Sequence, residues 1–119
     1  MYYTYMIRCK DNSIYTGITT DLNRRFEEHL NKTSKCAKYT LKHDVEKMEC
    51  AWESENRVLA SKLEFHIKKL TKIEKESLIK NNRNLKKLLA EKIEFSEYKK
   101  VNFRKIAKIK ENVINIKDV

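Results

Sequence analysis

Residues 15–29 read YTGITTDLNRRFEEH and join the end of a predicted strand to a predicted helix. Tyr15 to Ile18 is rich in aromatic and β-branched residues, a composition typical of strands. Thr19 or Thr20 can cap the helix that follows, and Asp21 is favourable in its first turn. This stretch therefore predicts a strand, a cap and a helix in direct succession.

The predicted helix has one apolar face. Leu22, Phe26 and Leu30 recur every fourth residue, which predicts a stripe packed on a core. Arg25 and His29 lie beside this stripe, one helical turn apart. We expect both side chains to point towards the edge of the sheet rather than straight into solvent.

A second strand is predicted upstream, at the N-terminus. Residues 2–9 read YYTYMIRC, an alternating stretch rich in aromatic and β-branched types. Residues 10–13 read KDNS, which is typical of turns, and residues 14–18 resume as a strand. The two strands therefore form a predicted hairpin.

The register of this hairpin decides where two tyrosines lie. A two-residue loop at Asp11-Asn12 would put Tyr5 and Tyr15 on opposite faces of the sheet, because strand side chains alternate. A three-residue loop from Asp11 to Ser13 pairs Cys9 with Tyr15 and places both tyrosines on one face.

Further elements follow in the middle of the chain. Residues 37–40 form a possible short helix, and residues 45–52 read as a third strand. Ser54 can start a long helix with an apolar seam. Residues 71–74 read TKIE, a capping box that opens the next helix. The predicted fold is α+β, with a small three-stranded antiparallel sheet flanked by helices.

The C-terminal third is predicted to be a helical extension. Residues 80–84 read KNNRN and form the one plausible boundary, so we divide the chain into a domain over 1–81 and a basic extension over 82–119. Leu85, Leu88, Leu89 and Ile93 predict one helix of this extension. Ile106, Ile109, Val113 and Ile116 predict a terminal amphipathic helix that packs on the core or mediates a dimer.

The charge balance indicates an anionic partner. The chain has 119 residues, with 27 Lys and Arg against 17 Asp and Glu, which gives a formal net charge of +10. Nucleic acid is the usual partner for such a balance, through contacts to phosphates. The length suits one domain with a hydrophobic core.

Several protein classes are excluded by composition. No apolar run approaches the roughly 20 residues that a membrane helix requires, and the N-terminus lacks the pattern of a signal peptide. The three cysteines, Cys9, Cys36 and Cys50, contain no C-x-x-C pair, so a zinc ribbon is not predicted. Buried free thiols in a reducing cytoplasm are the expected state.

Paired tyrosines, Arg25 with His29, and a carboxylate at Glu64 together suit metal-assisted phosphodiester hydrolysis. A carboxylate holds a hard divalent cation, a guanidinium grips phosphate, and a tyrosine or histidine positions the attacking water. Each residue also has a structural interpretation: cross-strand aromatics, a solvated helix charge, a core histidine, and an ion pair between Glu64 and Lys68. These residue types alone establish only a small basic α/β domain.

The order of the residues goes further. Tyr3-Thr4-Tyr5, then Tyr15-Thr16-Gly17, then Arg25 and His29 on the next helix, resembles the GIY-YIG endonuclease superfamily. Residues 15–29 look very like the short, single-domain bacterial branch, the YhbQ-like proteins. Two later stretches, residues 37–40 (AKYT) and 60–70, fit the same branch. The resemblance covers residues 2 to about 80.

The resemblance implies roles for the hairpin residues. Tyr5 matches the tyrosine that ends the first motif and Tyr15 the one that opens the second, and one of the two acts as general base or orients the water. Gly17 matches the invariant glycine, whose lack of a side chain lets a helix or phosphate approach closely.

It also implies roles for the helical residues. Arg25 matches the arginine that stabilises the pentavalent phosphate, His29 a position that helps to activate the nucleophile, and Glu64 the single metal-binding glutamate. The implied cofactor is one Mg²⁺ or Mn²⁺ ion. Contacts to nucleic acid are expected from four further residues: Lys38, Tyr39, Arg24 and Lys68.

The sequence departs from the family pattern at two motif positions. Tyr3 stands where the first motif has its name-giving glycine, and Ile18 replaces a lysine that some repair nucleases carry. No cysteine-rich zinc module or separate DNA-targeting domain is predicted, so sequence-specific cleavage is not expected.

The predicted function is hydrolysis of DNA phosphodiester bonds by a divalent-metal-dependent endonuclease. Its expected role is structure- or backbone-directed, in repair or recombination, and RNA is not excluded as a substrate. The alternative is a nucleic-acid-binding module that keeps the fold without the activity. A third interpretation is a protein that associates with partners or a membrane surface through residues 82–119.

Overall fold

Four strands and five helices make up the part of the chain that the computed structural model describes, residues 1–32 and 38–103. The strands are β1 (Tyr2–Cys9), β2 (Ile14–Thr19), β3 (Val45–Ser54) and β4 (Lys99–Lys100). The helices are α1 (Leu22–Leu30), α2 (Lys38–Lys42), α3 (Arg57–Lys68), α4 (Lys72–Lys80) and α5 (Asn84–Leu89), and a 3₁₀ turn spans Phe95–Glu97.

The sheet is antiparallel with the order β2-β1-β3-β4, so β2 is an edge strand. The prediction of three strands is therefore wrong by one. β4 pairs Lys99 with Glu53 and Lys100 with Trp52, at the end of β3. A two-residue strand carries no alternating pattern, and here the Tyr98 hydroxyl positions it by donating to the Leu59 carbonyl over 2.7 Å.

The hairpin places Tyr5 and Tyr15 on one face, as the three-residue loop predicts, but in another register. Tyr15 pairs with Ile7 rather than with Cys9, and Tyr5 pairs with Gly17. The loop is one residue earlier than predicted, at residues 10–12, because Asn12 adopts the left-handed conformation with φ of 71° that closes such a turn. A register shift of two residues does not change the face of the sheet on which each side chain lies.

Two helix caps differ from the prediction. Asp21, rather than Thr19 or Thr20, caps α1 by accepting from the backbone amide of Arg24 over 3.1 Å. Ser54 still belongs to β3, so α3 begins later, after Asn56. Asx side chains are preferred at both caps because they reach the free amides of the first turn.

The start of α4 agrees with its prediction. Thr71 caps the helix, and its hydroxyl accepts from the backbone amide of Glu74 over 3.2 Å. The Glu74 carboxylate accepts in return from the backbone amide of Thr71 over 2.8 Å. The predicted capping box is therefore formed.

Each face of the sheet carries its own hydrophobic cluster. The first packs α3, α4 and α5 against Met6 and Trp52, and the second packs α1 against Tyr5 and Ile7. Leu63 and Ile67 of α3 belong to the first cluster, and Leu22 and Phe26 of α1 to the second. The edge strand β2 is therefore bordered by α1 on one face and by α3 on the other.

The segment after α4 packs on the first cluster. Leu85 and Leu89 of α5 are buried there, together with Ile93 and Tyr98. The predicted helix through Ile93 is shorter than expected, because α5 ends at Leu89. The predicted terminal helix over residues 106–116 lies outside the described residues.

Two further expectations concern cysteines and membranes. Cys9 and Cys50 are buried free thiols, as predicted, whereas Cys36 lies outside the described residues. Within residues 1–32 and 38–103, no helix has the length and apolar character needed to cross a membrane.

Candidate active site

The predicted site residues come from four elements around the edge strand β2. β1 supplies Tyr5, β2 supplies Tyr15 and Gly17, and α1 supplies Arg25 and His29. Glu64 lies on α3. Residues far apart in sequence therefore meet because the hairpin is closed by α1 on one face and α3 on the other.

A chain of hydrogen bonds links β1 to α1 in the interior of this site. The Tyr5 hydroxyl lies 2.7 Å from His29 Nε2, and both side chains are fully buried. Arg25 Nε donates to the same hydroxyl over 3.4 Å, while Arg25 Nη1 donates to Glu28 Oε1 over 3.0 Å. Tyr5 and Glu28 therefore hold the guanidinium from two sides.

Burial determines the protonation states of His29 and Tyr5 in this hydrogen-bonded network. It lowers the pKa of His29 to about 4, and the positive charge of Arg25 acts in the same direction. Burial also raises the pKa of Tyr5 well above its usual range, helped by the nearby Tyr15 and opposed by Arg25. At neutral pH Tyr5 keeps its proton and His29 is neutral, so a hydrogen bond joins the Tyr5 hydroxyl to His29 Nε2 while the hydroxyl accepts from Arg25 Nε.

Gly17 leaves the space that the tyrosine rings occupy. A Cβ atom at this position would lie 2.5 Å from the Tyr5 hydroxyl oxygen, 2.8 Å from Tyr5 Cζ and 3.0 Å from Tyr15 Cε2. The resemblance to the GIY-YIG superfamily implies a close approach by a helix or a phosphate here. The close neighbours are instead the rings of Tyr5 and Tyr15, so glycine is required for the site's own packing.

Tyr15 is half-buried and lies at the centre of an aromatic cluster. Its ring centroid is 6.3 Å from that of Tyr5, 5.4 Å from that of His29 and 5.6 Å from that of Tyr39, on which it stacks. His43 stacks in turn on Tyr39 at 4.1 Å. Aromatic contacts therefore fix the orientation of Tyr15 from two helices.

Glu64 lies on the other side of Tyr15. Its carboxylate is 3.4 Å from the ammonium of Lys68, which itself lies 5.6 Å from the centroid of the Tyr15 ring. The negative charge of Glu64 also contributes to the raised pKa of Tyr5. Glu64 is thus close enough to act electrostatically on the hydroxyl that Arg25 and His29 share.

The donor set at Glu64 suits a hard cation. No cluster of three His, Cys, Asp or Glu side chains that could hold a metal occurs within the described ranges. A lone, partly exposed carboxylate fits Mg²⁺ or Mn²⁺ bound mainly by water and substrate oxygens, because Mg²⁺ keeps several waters and uses one or two carboxylates.

The other predicted residues divide into two groups. Tyr39 and Lys68 contact Tyr15 directly, as described above. Arg24 and Lys38 are exposed and lie outside the aromatic cluster, Arg24 with its Nη2 atom 3.4 Å from the Thr20 hydroxyl. They are positioned on the surface beside the site rather than within it.

Sequence reasoning missed two residues that shape the site. Glu28 pairs with Arg25 three positions away, a spacing that signals a helical ion pair. His43 stacks on Tyr39 and lies 2.5 Å through Nδ1 from Asp11 in the hairpin loop. No local pattern signals this second contact, because its partners are far apart in sequence.

Comparisons with known proteins identify the family of this chain. The model of the GIY-YIG catalytic domain matches residues 1–88. The UPF0213 protein FN1575 of Fusobacterium nucleatum is 44% identical over 99 residues, covering 77% of this chain and 97% of that protein. The UPF0213 protein YhbQ of Salmonella typhimurium is 39% identical over 89 residues, covering 75% and 87% respectively.

One solved structure is also similar. The solution NMR structure of the UPF0213 protein BH0048 from Bacillus halodurans is 32% identical, covers 74% of this chain and 97% of that chain, and gives a TM-score of 0.40. The match of the catalytic-domain model to residues 1–88, with curated relatives that are 44% and 39% identical, assigns the family. The chain belongs to the GIY-YIG nuclease domain family, among its UPF0213 (YhbQ-like) members.

Proposed function

We propose that this chain is a divalent-metal-dependent endonuclease that hydrolyses DNA phosphodiester bonds. Membership of a nuclease domain family implies a nucleic-acid substrate. The observation that carries the proposal is the convergence of Arg25, His29 and Tyr5 in one hydrogen-bonded chain beside the half-buried Tyr15. This arrangement gives a fixed cation next to an accessible phenol.

Arg25 is the proposed phosphate clamp. Tyr5 and Glu28 hold its guanidinium, so little side-chain freedom remains to be lost when substrate binds. A guanidinium donates to two phosphate oxygens at once, and its charge opposes the negative charge that develops in the transition state. His29 acts through Tyr5 and keeps this geometry, because both are fully buried.

Tyr15 is the proposed contact for the attacking water. Tyr5 is fully buried and engaged with His29 and Arg25, which leaves the half-buried Tyr15 as the better placed phenol. The Tyr15 oxygen can orient a water by hydrogen bonding, while the stacked Tyr39 fixes the ring. This assigns different roles to the two tyrosines that the family motif pairs.

Glu64 is the proposed ligand for one Mg²⁺ or Mn²⁺ ion. When bound, such an ion supplies positive charge that stabilises the phosphoryl and leaving oxygens. Without the ion, the ammonium of Lys68 lies 3.4 Å from the Glu64 carboxylate and balances its charge. Because this exposed pair is weak, Lys68 can turn instead towards a substrate phosphate.

The surface around the site supports backbone-directed binding. Arg24, Lys38, Tyr39 and Lys68 surround the proposed centre, and none of them belongs to a separate DNA-reading element. Contacts of this kind position the phosphate backbone and carry no sequence information. We therefore propose structure- or backbone-directed cleavage, as required in DNA repair or recombination within the cytoplasm.

A nucleic-acid-binding module without hydrolytic activity is the second candidate. The observation that favours it is the ion pair between Glu64 and Lys68, which occupies the one carboxylate proposed for the metal. In that case the basic surface binds DNA, but the site does not cleave it.

Cleavage assays separate the two candidates. Wild type and Glu64→Gln are incubated with labelled duplex, flap, branched and single-stranded DNA in Mg²⁺, Mn²⁺ or EDTA, with the exposed Glu91→Gln as the matched control. We expect wild type and Glu91→Gln to cleave DNA in a metal-dependent manner and Glu64→Gln not to cleave it, while all three proteins bind DNA. Equal binding with no cleavage of any substrate would identify the binding module.

A further inference from the structure

A groove of about 540 Å³ adjoins the proposed active site. It lies where the start of β1 and the end of β2 meet α1 and the start of α3. Its lining includes Tyr2, Thr20, Arg24, Arg25, Glu28 and Arg57. Because Arg25 also donates to Tyr5, the groove is continuous with the interior of the site.

The charge of the groove is strongly positive. Three arginines line it against one carboxylate, Glu28, which is already paired with Arg25 over 3.0 Å. Arg24 and Arg57 are exposed, and neither forms an ion pair within the described residues. Two uncompensated guanidinium groups beside a third favour an anion with more than one charged centre.

The position of Arg57 explains why the sequence pattern does not reveal it. Arg57 is the first residue of α3, seven positions before Glu64, and it reaches the groove from the opposite face of the sheet to Arg24. Only the folding of α3 along the edge of β2 brings these two residues to one groove.

We propose that this groove is a second phosphate subsite, in which Arg57 and Arg24 bind the backbone phosphate next to the one held by Arg25. The inference rests on the proposed nucleic-acid substrate and adds Arg57 to its binding surface. Guanidinium groups bind phosphate through two parallel hydrogen bonds. The subsite fixes the strand that enters the site without reading its bases.

The test is the salt dependence of DNA binding in EDTA, where no cleavage is expected. Wild type, Arg57→Ala, Arg57→Lys and the control Arg83→Ala are titrated with a short labelled DNA by fluorescence anisotropy. Arg83 is exposed and lies between α4 and α5, outside the groove. Because both arginines are exposed, their variants should melt like wild type, and thermal unfolding verifies this.

The subsite predicts that Arg57→Ala weakens binding on the order of five- to tenfold at low salt and reduces the salt slope by about 0.7 to 0.9. Arg57→Lys should keep most of the slope, since its charge remains, and Arg83→Ala should match wild type. In cleavage assays Arg57→Ala should raise KM more than it lowers kcat.

Two results would overturn the proposal, and they differ from a failure of the proposed function. If Arg57→Ala and Arg83→Ala have equal affinities and slopes while wild type cleaves DNA, the subsite is wrong and the nuclease stands. If wild type binds no DNA at low salt, both ideas fail. A selective loss in Arg57→Ala without any cleavage by wild type would support the subsite alone.

Discussion

Two arginine clusters lie at different places on the same sheet and differ in how their charge is compensated. Arg8 of β1 is bound by Glu49 of β3 at 3.0 Å and by both carboxylate oxygens of Glu76 of α4, at 2.6 and 2.5 Å. Arg25 of α1 is paired with the carboxylate of Glu28 and with the Tyr5 hydroxyl. One arginine is enclosed by carboxylates, whereas the other borders a basic groove.

The difference separates a structural ion pair from a binding group. Arg8 pairs with both carboxylates, which also pair with Lys47 and Lys72, and these contacts tie β1, β3 and α4 together. Arg25 instead lies beside two further arginines, Arg24 and Arg57, where excess positive charge is retained. Retaining such charge has an electrostatic cost in the free protein, and an anionic ligand removes that cost.

Of the two tyrosines in the Arg25 cluster, Tyr15 should have the larger effect on activity. Tyr15→Phe removes the accessible phenolic oxygen and should lower kcat by about 10². Tyr5→Phe should in addition destabilise the fold, because it removes the hydroxyl that is hydrogen-bonded to His29. Single-turnover cleavage and thermal unfolding of both variants measure the two effects. Equal losses of stability in the two variants, together with full activity in Tyr15→Phe, would contradict the separate roles of the two tyrosines.

Arg8→Ala tests the structural cluster. Removing this guanidinium leaves the largely buried Glu49 with Lys47, at 3.4 Å, as its remaining charged partner, so the free energy of unfolding should fall by about 2–3 kcal/mol. Urea denaturation measures the loss. The partly exposed Glu76→Gln serves as the milder variant and should cost less, because solvent already screens that carboxylate.

Gly17→Ala should disturb only the site. Its Cβ cannot be accommodated unless the rings of Tyr5 and Tyr15 shift, which should cost about 1–2 kcal/mol of stability and most of the activity. Ser61, a half-buried residue of α3, offers a control position: Ser61→Ala should leave cleavage unchanged. Wild-type activity in Gly17→Ala would show that the ring positions are not needed.

The Arg25 and Arg8 clusters should lose their contributions to the free energy of unfolding in different pH ranges. His29 has a pKa of about 4 in the folded protein against 6.5 ordinarily, so the unfolded chain binds the proton first and stability falls between pH 6.5 and 4. Arg8 holds the pKa of Glu76 at about 2 against 4.5, so its contribution is lost as the pH falls from 4.5 towards 2.

Urea denaturation across these ranges distinguishes the two groups. His29→Gln should flatten the upper range, with an effect on the order of 1–2 kcal/mol, and Glu76→Gln should flatten only the lower one. Identical pH profiles for the two variants would contradict the assignment of separate titrating groups.

Local sequence patterns predicted those structural features that depend on residues close together in the chain. The hairpin, the apolar stripe of α1 and the Thr71 capping box all follow from spacing, and the motif order pointed to Tyr5, Tyr15, Arg25 and His29, which the structure brings together. The exact register did not follow, because it depends on the left-handed conformation of Asn12.

Contacts between distant residues could not be predicted. Arg8 and Glu76 are 68 positions apart, and no pattern in either stretch signals their pairing. β4 is two residues long and depends on Tyr98 reaching Leu59, 39 positions away. The same holds for Arg57, whose place in the groove is a consequence of how α3 packs.

If Arg25 serves catalysis and Arg8 serves the fold, their alanine variants should differ in cleavage rate. Single-turnover cleavage of labelled DNA in Mg²⁺ is measured for Arg25→Ala and Arg8→Ala, each normalised to its folded fraction at a temperature where both are folded. We expect a loss of about 10²–10³ for Arg25→Ala and near wild-type rates for Arg8→Ala. Comparable rates for the two variants would contradict this expectation.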